Sequence, residues 1–333
     1  MHSVMPRHWR LIAAAGITTL ILAACGTTGI DSSAVSISPP PSVAPSVEPS
    51  SQPSLTPPLE AAIETGPGPI SLAATSESIW VELHRADRVA RIDPATNEQV
   101  EVTDVPVHCG LAASGESVWA TIAKQDTVTR FAASTGEAVE SFHVTAACGV
   151  VVDGDTAWVT SPGDGAVYLL QEGSVEPIRK IDVAPDLFDL ALDETSAWVT
   201  SESEDGTVWR IDRATSAVTR VGKFPGVDAA EVAFGSLWLT SRQTSQVWKL
   251  NRADGSILGQ LRLLDPVGVA AVGDALWIAL LGGGVIVLDP ATLEVLSQKT
   301  LPNGFLGPPV YAFGSLWASA LEDNLVLRVR VED

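Results

Sequence analysis

Histidine, cysteine and acidic side chains are the groups in this sequence that could bind a metal ion or transfer a proton. The chain contains five histidines, and three of them, His84, His108 and His143, lie beyond an apolar N-terminal segment. General acid–base catalysis and metal binding both need several such groups at one place. The chemistry open to this chain therefore depends on which of these residues the fold brings together.

Three acidic residues stand in otherwise apolar or small-residue stretches. Asp189 interrupts the run Phe-Asp-Leu-Ala-Leu, and Asp228 and Glu231 belong to the run Asp-Ala-Ala-Glu-Val-Ala. A cluster of carboxylates could bind a divalent cation such as Ca²⁺ or Mg²⁺, because both ions prefer oxygen ligands. The alternative is that these carboxylates accept hydrogen bonds from strand N–H groups or face water in a channel.

The elements that must position these residues are indicated by a repeat of about 40 residues. Seven tryptophans mark this repeat at spacings of 39 or 40 residues: Trp80, Trp119, Trp158, Trp198, Trp238, Trp277 and Trp317. Each of them lies in a short segment of strand-forming residues, such as "TAWVT" or "SLWLT". A fixed period of this length predicts repeated structural units that bury their apolar surface against one another.

Each unit contains four short segments with the composition of β-strands. A small apolar run such as "GLAA" (110–113) precedes a tight turn and the Trp strand, and a third strand such as "TVWRID" (207–212) follows a polar loop. Turns such as "DPATN" and "NRADG" lead to a more polar fourth strand, since Asp-Pro and Asp-Gly favour β-turns. Seven units of four strands predict an all-β fold, the seven-bladed β-propeller.

The seventh unit lacks a fourth strand, because its third strand "LVLRVRV" is followed by two residues. At the other end of the repeat region, the stretch Ala61 to Thr65 aligns with the position of a fourth strand and has no blade before it. We predict that this N-terminal strand completes the seventh blade and closes the ring, which removes an exposed sheet edge. The alternative is an unpaired N-terminal tail.

Loops at one mouth of a propeller channel are where we expect a ligand, because binding residues concentrate on loops held by a rigid scaffold. These loops enter the innermost strands or join the second and third strands. Counting from the Trp residues places the three acids on the innermost strands of neighbouring blades four and five. The candidate ligand-binding residues are Glu82, His84, His108, Asp186, Asp189, Asp228, Glu231 and Arg242. No catalytic set is readable among them, and metal ligands are left open.

Cys109 and Cys148 occupy equivalent positions of blades two and three, ten residues before the Trp of each unit. Inner strands converge toward the propeller axis, so their Cα atoms could come within the roughly 4.4–6.8 Å that a disulfide requires. We predict this disulfide, with two buried thiols as the alternative. A metal site at His108-Cys109 is less favoured, because it offers one His and no second Cys at short spacing.

The N-terminal 60 residues predict export and membrane anchoring. Residues 1–24 have the charged and apolar regions of a signal peptide, and the sequence Leu-Ala-Ala-Cys ending at Cys25 resembles the bacterial lipobox, whose cysteine is lipidated. The alternative is a cysteine that merely ends a signal peptide. Residues 25–60 form a tether, since 17 of the 30 residues in 31–60 are Ser or Pro. This leaves 61–333 for the propeller, on the extracytoplasmic face of the cell membrane and held there by acyl chains.

The charge of the chain limits its partners. The formal net charge is −20, and it becomes −22 when Arg7 and Arg10 leave with the signal peptide. Such an acidic protein is not expected to bind nucleic acid, which requires a cationic surface. The charge is compatible with cationic ligands, and it also suits an exported protein kept soluble by charge repulsion. We expect a monomer whose partner outside the cell is a small molecule, a glycan or a protein.

The Trp strand "G-x-x-W-V-T" and the segment "V-x-R-I-D-P-A-T" resemble the repeats of bacterial propellers of the YVTN type and the virginiamycin B lyase-like type. The second motif is seen as "RVARIDPAT" (88–96) and "TVWRIDRAT" (207–215), and the resemblance covers residues 61–333. These propellers include lyases, lactonases, sensors and scaffolds, so the likeness is specific for architecture and weak for activity.

The lyase-like type implies a metal and a general base built from His and Glu in the late blades. Blades four to seven of this chain contain no histidine, so that chemistry does not transfer residue by residue. We therefore expect a membrane-anchored lipoprotein whose propeller is a ligand- or protein-binding module, with no certain cofactor. The alternative is a metal-dependent lyase or lactonase that acts at the channel mouth.

Overall fold

The computed structural model describes residues 59–301 and 308–331, apart from the side chains at 101 and 102. The predicted signal peptide, the lipidated Cys25 and nearly all of the tether lie outside the described residues, so they stay predictions. Within the described ranges, no helix has the length and apolar character needed to cross a lipid bilayer.

The described chain forms seven four-stranded antiparallel sheets, the blades of a β-propeller. The strands are β1 (Leu59–Glu64), β2 (Pro69–Ala74), β3 (Ile79–Leu83), β4 (Arg88–Asp93), β5 (Glu98–Thr103), β6 (Leu111–Ser114), β7 (Ser117–Ile122), β8 (Thr127–Ala132), β9 (Ala138–His143), β10 (Val150–Asp153), β11 (Thr156–Ser161), β12 (Ala166–Gln171), β13 (Arg179–Asp182), β14 (Leu187–Leu192), β15 (Ser196–Ser201), β16 (Thr207–Asp212), β17 (Val218–Lys223), β18 (Ala229–Ala233), β19 (Ser236–Ser241), β20 (Gln246–Asn251), β21 (Ile257–Arg262), β22 (Pro266–Val272), β23 (Ala275–Leu280), β24 (Gly284–Leu288), β25 (Val295–Thr300), β26 (Val310–Ala312), β27 (Ser315–Ala320) and β28 (Leu325–Arg330). One turn of 3-10 helix, Ala123–Gln125, follows β7. The all-β, seven-bladed prediction is confirmed.

Blade one contains β2 to β5, and the following blades take four strands each in chain order. The first strand of each blade is innermost, and the inner strands contact one another in the order β2, β6, β10, β14, β18, β22, β26 and back to β2. We call the end of the channel formed by the entry loops and the loops between second and third strands the upper mouth. The other end is the lower mouth.

The N-terminal strand closes the seventh blade, as predicted. β1 pairs antiparallel with β28, and the sheet order is β1, β28, β27, β26. The strand begins at Leu59, two residues before the predicted boundary, and ends at Glu64. The N–H of Thr65 still donates to the carbonyl oxygen of Asn324 at 3.2 Å, which extends the pairing toward the upper mouth.

The hydrophobic core is divided into seven layers, one between each pair of neighbouring blades. Each layer contains one of the seven repeat tryptophans, all of which are buried. Trp317, for example, packs against Ile79 and Ile92 of blade one, so the layer that joins the first and last blades resembles the other six. The repeat therefore exists because each blade buries its apolar faces only when it has a neighbour on both sides.

Close approach of the inner strands explains the glycine that opens several of them. The N–H of Gly149 donates to the carbonyl oxygen of Phe188 in the next blade at 3.2 Å. A Cβ atom at position 149 would lie 2.4 Å from that oxygen, which is too close for any side chain. The backbone spacing near the axis thus requires glycine at this position.

Candidate functional site

Glu82 is a buried carboxylate in a position where five of the other six blades have a hydroxyl side chain. It lies two residues after Trp80 near the end of β3, and 1% of its surface is exposed. In blade three the equivalent Thr160 accepts a hydrogen bond from Gly149 N and donates one to the Phe188 carbonyl oxygen. Glu82 instead directs Oε1 toward His84, and its Oε2 is buried without a hydrogen-bond partner.

His84 follows β3 directly and faces the upper mouth. Its backbone N–H donates to the carbonyl oxygen of Gly68 in the loop that enters the same blade, at 2.9 Å. Its side chain is 13% exposed, and its Nδ1 lies 3.4 Å from Glu82 Oε1. The end of the Trp strand and the entry loop of blade one therefore fix the position of this imidazole.

His108 comes from the next blade, on the segment that enters β6. It forms an isolated bridge with Ile122 at the end of β7, and its N–H donates to Thr121 O at 2.9 Å. Its side chain is buried, and its Nδ1 lies 2.9 Å from Nδ1 of His84. The two rings stack with centroids 4.5 Å apart and an interplanar angle of 18°.

Burial and the neighbouring imidazole of His84 are the main influences on the pKa of His108. Burial is the main cause that lowers its pKa, and the nearby imidazole of His84 lowers it further. The side chain is therefore held as neutral imidazole at physiological pH, the form that can accept a proton or bind a metal.

At the rim of the upper mouth, Lys124 Nζ pairs with Asp87 Oδ1 at 2.8 Å and links the loops of blades one and two.

The predicted disulfide is present directly beside this site. Cys109 and Cys148 are bonded, with their Cα atoms 4.7 Å apart. Cys109 has a φ of 115°, a left-handed backbone conformation that is unusual for a residue with a side chain. The bond ties the entry segment of blade two, which carries His108, to the inner part of blade three.

Glu82, His84 and His108 together form what we call the mouth triad. Their ligand atoms, one from each residue, all lie within 4.8 Å of one another. This arrangement brings one carboxylate and two imidazoles from two blades to a single point on the upper mouth. Such a set can bind a metal ion, or it can use a carboxylate and an imidazole to move a proton.

Asp189 and Glu231 lie together on the neighbouring inner strands β14 and β18, far around the ring from the mouth triad. Asp189 Oδ2 accepts the backbone N–H of Ala230 at 2.9 Å. Burial raises the pKa of Asp189 to about 6. Burial, and secondarily the charge of Asp189, raise the pKa of Glu231 to about 7. Glu231 lines a cavity of about 620 Å³ toward the lower mouth, together with Leu190 and Arg213.

Asp228 and Arg242 form a separate contact at the upper mouth of blade five. Asp228 Oδ2 accepts the backbone N–H of Arg242 at 2.6 Å, while burial raises the pKa of the Asp228 carboxyl to about 6. Asp186 is exposed in the loop that enters blade four, and its carbonyl oxygen accepts the N–H of Glu202. For Asp189 and Asp228 the geometry favours the alternative that these acids bind strand or loop N–H groups.

The sequence contained a signal that separates the mouth triad from the other candidates. Two residues after the repeat tryptophan, blades two to seven carry Thr121, Thr160, Thr200, Thr240, Ala279 and Ser319. Blade one alone carries an acid there, Glu82, and a histidine two residues later. The acids Asp189, Asp228 and Glu231 precede the tryptophan of their blades, whereas Glu82 and His84 follow Trp80.

Comparisons with known proteins agree on the architecture. No protein-family model and no curated protein sequence matches this chain. Among solved structures, hydrazine synthase from Kuenenia stuttgartiensis is similar with a TM-score of 0.69 and 16% identity, covering 80% of this chain and 97% of that one. A streptogramin B lyase structure gives a TM-score of 0.68 and 13% identity, covering 82% and 97%. BamB from Moraxella catarrhalis gives 0.59 and 15%, covering 79% and 83%.

At these identities the likeness shows the fold alone. The comparisons place the chain among β-propellers and do not choose between the YVTN and lyase-like types named from the repeats.

Proposed function

We propose that this protein is a lipid-anchored, extracytoplasmic β-propeller that binds a ligand at the upper mouth of its channel, over blades one and two. The observation that carries this proposal is the carboxylate of Glu82, which is buried and has one oxygen without a hydrogen-bond partner beside two imidazoles. The ligand is a small molecule, a glycan or a segment of a protein outside the cell.

A carboxylate in this setting does not stabilise the fold. Burial of an ionisable group without full hydrogen bonding costs free energy, on the order of several kcal/mol for a charge. Threonine at the same position of blade three makes two hydrogen bonds to backbone at no such cost. A buried polar atom without a hydrogen-bond partner is uncommon in a folded protein, and a bound ion or ligand is one explanation for it. We therefore assign Glu82 to ligand binding.

The anchor is supported by the sequence. The lipobox-like residues before Cys25 and the Ser/Pro-rich segment up to residue 60 suit a propeller held at a distance from a membrane. The net negative charge keeps copies of the propeller apart by repulsion, which suits an exported protein that stays monomeric and soluble. A ligand reaches the upper mouth from the extracellular solution in this arrangement.

A thermal-shift screen tests the binding function. Small-molecule and glycan libraries are added to the purified protein, and a ligand that binds the native state raises the melting temperature. We expect the hits to be lost in His84→Ala and kept in His143→Ala, because His143 is exposed on the outer strand β9. Hits that survive His84→Ala and disappear in Glu231→Gln would move the site to the lower mouth and contradict the proposal.

The mouth triad also favours a second candidate function, a metal-dependent lyase or lactonase. Glu82, His84 and His108 are the residues that would hold a divalent cation, and that cation would polarise a substrate carbonyl. The similarity to the streptogramin B lyase structure supplies a substrate class to try first.

Ring opening of a cyclic ester tests this second function. The protein is incubated with a streptogramin B and with simple lactones, and the products are analysed by mass spectrometry. A lactonase adds one water to the product, whereas a lyase opens the ring at constant mass. Activity that Glu82→Gln removes and His143→Ala leaves unchanged would support the enzyme; unaltered substrates would leave the binding module as the function.

A further inference from the structure

The mouth triad has the donor set of a transition-metal site. We propose that Glu82, His84 and His108 bind one first-row transition-metal ion of the Zn²⁺ class, in preference to Ca²⁺ or Mg²⁺. The inference rests on the ligand-binding role proposed for the same mouth and names what is held there. It differs in place and in metal class from the Ca²⁺ or Mg²⁺ site that the sequence suggested among the acids of blades four and five.

The ligand atoms of the triad, all within 4.8 Å of one another, are close enough to meet at one ion. Zn²⁺ lies about 2.0–2.1 Å from an imidazole nitrogen and about 2.0–2.2 Å from a carboxylate oxygen. Two ligands of a tetrahedral ion are therefore about 3.3–3.5 Å apart. Glu82 Oε1 and His84 Nδ1 are 3.4 Å apart, and the Nδ1 atoms of His84 and His108 are 2.9 Å apart. The 2.9 Å contact is a hydrogen bond, so one of the two Nδ1 atoms carries a proton. To hold the ion, the pair opens by a few tenths of an ångström and that proton moves to the Nε2 atom of the same ring.

The chemistry of the donors decides the class of metal. Ca²⁺ and Mg²⁺ bind through oxygen ligands, usually several carboxylates, carbonyls and waters. Imidazole nitrogen suits Zn²⁺, Cu²⁺, Fe²⁺ and Ni²⁺. Two of the three donors here are imidazoles, and one of these, His108, is buried. A site of this composition discriminates against the harder cations.

The unpartnered oxygen of Glu82 is an independent indication of a ligand. Oε2 is buried and has no hydrogen-bond partner, although a carboxylate oxygen in this position normally accepts one. A cation bound at Oε1 and the two Nδ1 atoms would neutralise this carboxylate and could engage both of its oxygens. Without a cation, nothing else among the described contacts compensates the burial of that oxygen.

Backbone hydrogen bonds fix the segments that carry both histidines, so little conformational entropy is lost when the ion binds. His84 is fixed through its N–H to Gly68 O, and His108 through its N–H to Thr121 O, both at 2.9 Å. The disulfide of Cys109 restrains the segment that carries His108. Three protein ligands leave at least one coordination position of the ion for water or another ligand. The side chain of His84 is partly exposed, so this open position lies at the channel mouth.

Metal binding to the full-length protein tests the inference directly. After treatment with a chelator, the protein is titrated by calorimetry with Zn²⁺, and in parallel with Mg²⁺ and Ca²⁺. We expect one Zn²⁺ per chain, a visible Co²⁺ spectrum typical of nitrogen and oxygen ligands, and a melting temperature raised by roughly 5 °C or more at about 100 times Kd. Mg²⁺ and Ca²⁺ should produce no comparable shift.

Three variants and one control locate the site. Glu82→Gln, His84→Ala and His108→Ala should each weaken Zn²⁺ binding by at least about 10–100-fold. Replacing a residue that only hydrogen-bonds to a metal ligand already weakens binding by that much. His143→Ala is the matched control, since it removes an exposed histidine from an outer strand. His84→Ala removes a side chain at the mouth, so it keeps the test decisive if His108→Ala fails to fold.

The outcomes separate this inference from the proposed function. No Zn²⁺ binding by the wild type, equal binding of Mg²⁺, or an equal loss in His143→Ala would each overturn the metal site. A library ligand that binds the chelator-treated protein tightly and is lost in Glu82→Gln would overturn the metal while keeping the ligand-binding function. Stoichiometric Zn²⁺ binding that the triad variants remove would establish the site, even if the library screen finds no ligand.

Discussion

Buried acids in this propeller differ in what surrounds them, and the difference decides what each can do. Asp189 is partly compensated by the N–H of Ala230. Glu231 lies next to Asp189, whose negative charge adds to the cost of ionising it. Glu82 lies next to two imidazoles instead. The surroundings of a buried carboxylate therefore decide its role. Glu231 at the lower mouth is placed to take up a proton, and Glu82 at the upper mouth is placed to bind a cation.

Replacing Glu231 by Gln should stabilise the protein at alkaline pH and leave it unchanged in acid. The pKa of Glu231 is about 7 in the folded protein, above the ordinary value of 4.5, so its ionisation opposes folding. This penalty is absent below pH 4.5, develops as the pH rises from 4.5 to 7, and is complete above pH 7. We expect Glu231→Gln to raise the free energy of unfolding by about 1–3 kcal/mol at pH 8.

Urea unfolding at pH 4, 6 and 8 measures this effect. Glu77→Gln, on an exposed turn, is the matched control and should not change the stability at any of these pH values by more than about 0.5 kcal/mol. A stabilisation of Glu231→Gln that is the same at pH 4 and pH 8 would show that the carboxyl group is not the cause.

At the scale of elements, the blades are joined by cations on their third strands. Arg91, Arg130, Arg210, Lys249 and Arg328 each stand directly opposite the repeat tryptophan of their blade. Four of the five reach across to carbonyl oxygens in the turn between third and fourth strands of the next blade, and these are Arg91, Arg210, Lys249 and Arg328. This explains the basic residue of the "V-x-R-I-D" segment, which the sequence showed as a pattern without a role.

Arg210→Leu should loosen the contact between blades four and five. Arg210 Nη1 donates to the carbonyl oxygen of Ala253 at 2.8 Å, and its guanidinium lies over the ring of Trp198 at 5.9 Å. Leucine occupies the equivalent position of blade three, as Leu169 opposite Trp158, so the substitution is compatible with the sheet. We expect a loss of about 1–3 kcal/mol from the charged hydrogen bond and the cation–π contact.

Chemical denaturation of Arg210→Leu compared with Arg220→Leu measures this contribution. Arg220 is exposed on the outer strand β17 of the same blade, so its replacement should change the stability by about 0.5 kcal/mol or less. If the two variants lose the same stability, the inter-blade contact of Arg210 contributes nothing specific.

At the scale of the whole molecule, stability depends on closing the ring. β1 supplies the fourth strand of blade seven through pairing with β28. Glu60 adds contacts to Arg328 at 3.0 Å and to Arg330 at 2.7 Å, and it accepts a hydrogen bond from Ser315. The Ser315 hydroxyl, followed by the two guanidinium groups, holds the pKa of Glu60 below its ordinary range. β1, which leads along the chain into blade one, is thus held in blade seven by backbone pairing and by charge.

Deleting residues 59–64 should destabilise the entire propeller and expose the edge of β28. The deletion removes a ladder of backbone hydrogen bonds and the buried side chain of Ile63, with a combined loss of at least about 3 kcal/mol. An unpaired edge also favours association of chains. We expect a lower melting temperature together with a larger species in size-exclusion chromatography.

A deletion of the same length in the Ser/Pro-rich segment, residues 45–50, is the control for chain length and should leave the melting temperature unchanged. An unchanged melting temperature after loss of 59–64 would show that the closing strand does not hold the ring. The reverse result, a loss of stability in the 45–50 variant, would assign the segment before residue 59 a structural role.

Most of the fold follows from the sequence because its determinants are local. Each blade repeats its own strands, turns and tryptophan, so the period gives the number of blades, and the missing fourth strand of the last unit gives the closing strand. The Cys109–Cys148 pair could be found in the same way, because equivalent positions of neighbouring inner strands converge toward the axis. These conclusions needed only residue order and the geometry of a propeller.

Which candidates form a site was decided by the tertiary structure. Glu82, His84 and His108 meet because the end of one blade's Trp strand faces the entry segment of the next blade across the upper mouth. Asp189 and Glu231 meet on inner strands, while Asp228 turns to the backbone of Arg242. The sequence placed all eight candidates near the channel, but the direction of each side chain and the curvature of the ring set the distances between them. Those distances, on the scale of a single hydrogen bond, are what distinguish a metal-binding set from acids that only accept backbone N–H groups.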